Sequence, residues 1–125
     1  MLRGPKLYPA GWALFIALSE RQARRRVSQR YKLPSGAVIV LATVAALYKL
    51  GGIIYPGQLY QARLMSPSLL RKYLAELVKG KLVERYAQRG HARLRLTLTG
   101  ATISAQYQAH LLSGARQYEQ KQSIE

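Results

Sequence analysis

The sequence predicts a mainly α-helical chain with one small β-hairpin, an α+β fold in a single domain of 125 residues. Three observations carry this. Residues 66–79 hold a capped amphipathic helix. Residues 82–98 switch from helical to alternating periodicity. The segments on either side, 10–31 and 100–120, read as longer helices. Nearly half of the residues are hydrophobic, enough for a core of its own at this length.

The middle segment is the most explicit. Ser66 is a good N-cap and Pro67 suits the first helical position. Leu70, Tyr73, Leu74, Leu77 and Val78 recur at helical spacing and form one apolar stripe. Ser68, Arg71, Lys72, Ala75 and Lys79 fall on the other side, and Gly80 is the expected stop. After it, residues 82–87 read as one strand and 92–98 as another, with Leu94, Leu96 and Leu98 on one face and Arg93, Arg95 and Thr97 on the other. Gln88-Arg89-Gly90-His91 between them carries the glycine of a tight turn. Helix followed by basic hairpin is the layout of a winged helix; the bland alternative is a surface helix and an ordinary hairpin whose arginines serve solubility.

The remaining elements follow in order. Residues 1–8, with Pro5 and with Pro9 just beyond, predict a loose or extended arm. Residues 10–30 are helical: Trp12, Phe15, Ile16, Ser19, Ala23 and Val27 share a face, with Arg21, Arg24 and Arg25 turned away. Leu14 and Leu18 make the front of this helix apolar all round, which calls for burial on two sides, most simply by a second subunit. Pro34-Ser35 breaks the chain, with Ser35 the expected cap of an apolar helix over 36–50 closed by Gly51-Gly52. Ile53 and Ile54 are candidates for a short strand beside the hairpin. Pro56 starts a short helix over 57–63 with Leu59 and Ala62 inward, which with the next helix makes a helix-turn-helix. Thr99 is the expected cap of the last helix, which Ile103, Tyr107, Leu111 and Leu112 line and Ser113-Gly114 is placed to kink.

Charge points to the partner. Twenty Lys and Arg stand against five Glu and no Asp, a formal net charge of +15. That balance favours nucleic acid or an anionic surface. Residues 1–34 and 35–98 carry the whole excess, +7 and +8, whereas in 99–125 Arg116 and Lys121 are balanced by Glu119 and Glu125. A neutral last helix suits contacts between subunits. The basic, then apolar, N-terminal stretch superficially resembles a signal peptide, but it lacks a clear small-residue cleavage site and an arginine-rich helix continues from it; it is expected to be structural.

Residues 65–86, MSPSLLRKYLAELVKGKLVERY, together with LRLTLTG at 94–100, resemble the MarR family of bacterial winged-helix regulators. The first matches that family's recognition helix and first wing strand, the second its other wing strand and the start of its last helix. The resemblance implies a cytoplasmic, homodimeric double-stranded DNA-binding transcription factor, most plainly a repressor at a pseudo-palindrome. Residues 10–31 and 100–120 would dimerise and 35–98 would form the DNA-binding winged helix. By position it implies that Ser66, Ser68, Leu69, Arg71 and Lys72 read DNA, with Arg89, His91 and Arg93 in the wing. The family's Asp-x-Arg-Arg wing motif is absent, the tip having no acid. Leu64 also stands where glycine is usual, and Arg63 where leucine is.

The chemistry agrees. Arg71 can fork onto guanine O6 and N7, and Leu69 can touch a thymine methyl. Lys72 and Lys79 suit phosphates, Ser68 and Ala75 leave room for the groove, and Glu76 is expected to pair with Lys72 or Lys79. No cofactor or metal is expected: cysteine is absent, and His91 and His110 have no ligand pattern around them. The same poverty of nucleophiles and carboxylates argues against an enzyme. A small-molecule effector is possible in such a family, though no polar constellation announces one. Membrane binding by Arg24-Arg25-Arg26 beside Trp12 and Phe15 is disfavoured, and RNA binding lacks an aromatic platform. The alternative function is a plasmid or phage partition, replication or architectural DNA-binding protein without an effector.

Overall fold

A computed structural model describes residues 3–124, with side chains from 17 to 114 and that of Arg116. The order is α1 (Arg3–Tyr31), α2 (Ser35–Gly51), α3 (Pro56–Gln61), α4 (Pro67–Lys79), β1 (Val83–Gln88), β2 (His91–Leu96) and α5 (Leu98–Ile124). This is the predicted class: helices with one antiparallel hairpin.

The core collects one stripe from each element. Leu70, Leu74 and Leu77 of α4 are fully buried against Val38, Leu41 and Val44 of α2, together with Leu59, Val83 and Leu94. Each such aliphatic side chain stabilises the fold by about 1.5–3 kcal/mol on burial. From α1, Ala23 and Val27 join as expected, and from α5 Ile103 and Tyr107. The side chains of Trp12, Leu14, Phe15 and Ile16 lie outside the described residues. Ile54 makes a single antiparallel bridge to Leu94, but Ile53 takes no part and the sheet keeps two strands, so the expected short strand is reduced to one residue.

Several boundaries differ from expectation. The first helix begins at Arg3 instead of following an arm, since Pro5 sits in a first turn whose N–H groups need no partner. Pro34, not Ser35, is the cap residue of α2: its backbone is extended and its carbonyl accepts from Ala37 and Val38. Ala62 is exposed because α3 stops one residue before it. Gly80 does not take the left-handed conformation that closes α4. Lys81 does, at φ +62°, while Lys81 N–H bonds to Val78 O at 3.0 Å and Leu82 N–H to Leu77 O at 2.9 Å, the paired bonds of a Schellman close.

The start of α5 also moves. Thr97, not Thr99, caps it, accepting from Gly100 N–H at 3.0 Å. Its hydroxyl lies 2.8 Å from Lys81 O and 3.0 Å from Leu82 O, and its own N–H bonds to Leu82 O at 3.1 Å. A side chain at position 100 would collide with the Leu82 carbonyl, so only glycine lets the helix approach this closely. Leu98, expected to share a strand face with Leu94 and Leu96, is therefore a helical residue 85% exposed. The helix runs unbroken through Ser113 and Gly114, where Gly114 packs on Ser19 of α1.

Within the described residues no single helix is long and apolar enough to cross a membrane. Ala17–Tyr31 and Ser35–Gly51 meet that test only as a pair, and they are bent by 104°.

Candidate nucleic-acid interface

Helix α4 is built as its sequence requires. Ser66 Oγ accepts from Leu69 N–H at 3.4 Å and lies 3.5 Å from Ser68 Oγ. With the leucine stripe buried, the opposite face is left to solvent: Ser66, Ser68, Arg71, Lys72, Ala75 and Lys79 are all exposed, and Leu69 is 42% exposed at its edge. Tyr73 is half-buried, and the Lys72 ammonium lies 5.7 Å from its ring centroid. Among the described residues, Glu76 makes no ion pair with Lys72 or Lys79. The described ion pairs are Glu20–Arg24 and Glu84–Arg95, both at 3.7 Å. The cations of this face are thus unneutralised, which suits them to phosphates.

The hairpin turns on Arg89 and Gly90, both with positive φ (+54° and +78°), the two-residue type that matches strand twist. Gln88 pairs with His91 at the tip, and Arg89 and His91 are exposed. Arg93 is different. It is 9% exposed, its guanidinium carbon 4.6 Å from the Tyr55 ring centroid, so it faces protein and not open solvent. The alternation correctly separated it from the leucines, but the face it lies on is covered where Ile54 and Tyr55 run beside β2. Two exposed wing cations were not among the expected contacts. Arg85 is one; Arg95 is the other, held between Glu84 and the Tyr86 ring at 4.4 Å. The Arg93/Arg95 alternation carried a signal for the latter.

A helix with a short, polar and cationic outer face therefore stands beside a basic hairpin. Comparison with solved structures identifies the arrangement. MepR, a transcription regulator of a Staphylococcus aureus multidrug efflux pump, aligns over 91% of this chain and 83% of its own at a TM-score of 0.72 and 13% identity. Oxidised MarR from E. coli aligns over 91% and 82% at 0.66 and 20% identity. The chain has the MarR fold. A mutant E. coli MarR complexed with operator DNA aligns over 89% of this chain and 79% of its own, at 0.59 and 17% identity. No sequence-family profile and no curated protein matches the chain. The MarR-like α3–α4 pair is the helix-turn-helix, and β1–β2 is the wing.

Proposed function

We propose that this protein is a sequence-specific double-stranded DNA-binding transcriptional regulator. In this reading it acts as a homodimeric repressor on a pseudo-palindrome. The observation that carries the reading is the exposed outer face of α4 in a MarR-like fold, where Ser68, Arg71 and Lys72 have no acidic partner among the described residues. Arg71 serves as the base-reading fork, Ser66, Ser68 and Leu69 fill the groove floor, and Lys72, Lys79, Arg89 and His91 serve the backbone. A small apolar effector would sit in the open groove of about 420 Å³ between α2 and α5, lined in part by the exposed Tyr48 and Leu112 and by Leu96.

Selection of bound sequences from random duplexes, with RNA competitors present, tests the reading. Recovery of one pseudo-palindrome is expected; broad binding without a motif would favour the architectural alternative. On the selected site Arg71→Ala is expected to cost ~1–3 kcal/mol and to relax preference at one base pair, while non-specific binding falls much less. Equal losses on the selected site, its single-base variants and random duplex would remove Arg71 from base reading.

A further inference from the structure

The hairpin is fastened to the helix-turn-helix beside a buried cation. Leu94 N–H donates to Ile54 O at 2.8 Å, in an antiparallel bridge between those residues. That register sets Tyr55 beside Arg93, since neighbours run in opposite directions from the bridge. On its other flank Arg93 pairs with Tyr86 of β1. Its Nε is buried without a hydrogen-bond partner. A guanidinium whose Nε is withdrawn from water in this way loses part of its hydration, and the Tyr55 ring face, 4.6 Å away, offsets that loss. Tyr55 is also where α3 starts: its N–H donates to Gln58 Oε1 at 2.8 Å and its carbonyl accepts from Gln58 N–H at 3.0 Å.

We propose that Arg93 is a positioning residue: stacked on Tyr55, it locks the wing against the start of the helix-turn-helix and does not itself touch nucleic acid. Its consequence for DNA rests on the function proposed above, but the lock belongs to the free protein and can be measured there.

Arg93→Met keeps an unbranched stem and removes the cation; Tyr55→Leu removes the ring. In the free protein, hydrogen exchange at the Leu94 amide should accelerate about tenfold in either variant and no further in the double variant. Tyr55→Phe, which keeps the ring face, should exchange like wild type. On the selected duplex each of the two disruptive variants should lose affinity several-fold, with the dependence on salt concentration unchanged. Arg93→Lys should not rescue, because an ammonium restores charge without a planar group to stack. A salt slope reduced by about one in Arg93→Met would make Arg93 a phosphate contact and overturn the proposal. So would additive losses in the double variant, or Leu94 exchange unmoved by either substitution. Should wild-type protein bind no DNA, the proposed function fails, and the exchange measurement still decides the lock.

Discussion

Among the described residues, four other than glycine take left-handed backbone conformations, and all four are cations: Lys32, Arg63, Lys81 and Arg89, at φ between +51° and +62°. Such a conformation costs an L-residue about 1–2 kcal/mol relative to the right-handed form. Lys81→Gly is therefore expected to stabilise the protein by about 0.5–1 kcal/mol in chemical denaturation, part of the relief being lost to the freer unfolded chain. No gain in midpoint would mean that Lys81 is held there without strain. The sequence concealed this position, because Gly80 next to it is the conventional stop. Arg93 was hidden for a related reason. Alternation tells which residues share a face of a hairpin, but the cover over that face comes from Tyr55, nearly forty positions away. Ser66, Leu70, Leu74 and Leu77 were legible because local rules, capping and helical spacing, determine them alone.

At the scale of elements, Ser35, Ser66 and Thr99 are the most conspicuous hydroxyls at helix starts, and the fold displaces two of these three caps. Ser66 caps α4, where no tertiary partner competes. At α5 the choice between Thr97 and Thr99 is made by the Lys81 and Leu82 carbonyls, which engage the Thr97 hydroxyl and draw the helix back. This joint has a measurable strength. Thr97→Val removes the cap of α5 and the tie to the α4–β1 corner, and should cost about 1–2 kcal/mol. Thr97→Ser, which keeps the hydroxyl, should retain most of the stability. If valine were tolerated without loss in equilibrium denaturation, the hydroxyl would not be holding the two elements together.

For the molecule as a whole, the charge-neutral last helix and the apolar front of the first suggest that residues 10–31 and 100–120 join two copies. Sedimentation at micromolar concentration should give twice the chain mass; a well-folded monomer would sink both the dimer and half-sites spaced by ~34–36 Å. Between α1 and α5, Tyr107 reports on the packing. Burial raises its pKa above the ordinary 10.0, Glu20 adds to the rise, and Arg24 opposes it. The folded state then holds the proton longer than the unfolded chain does. This contribution is complete below pH ~10 and is lost as pH rises through the higher folded value. Stability should fall on the alkaline side of ~10, and Tyr107→Phe should flatten part of that fall in denaturation series at fixed salt. An identical alkaline slope in both proteins would exclude Tyr107 as its source.

One residue, Thr97, separates the wing from a helix of 27 residues. At ~1.5 Å per residue that helix is a rod of about 40 Å, and a tilt of about 5° at its pinned end sweeps the far end through roughly 3.5 Å. The threonine hydroxyl is thus the fulcrum of a lever with a very short arm on the wing side. A displacement of several ångströms at the far end would return to the hairpin as only a small change of pitch.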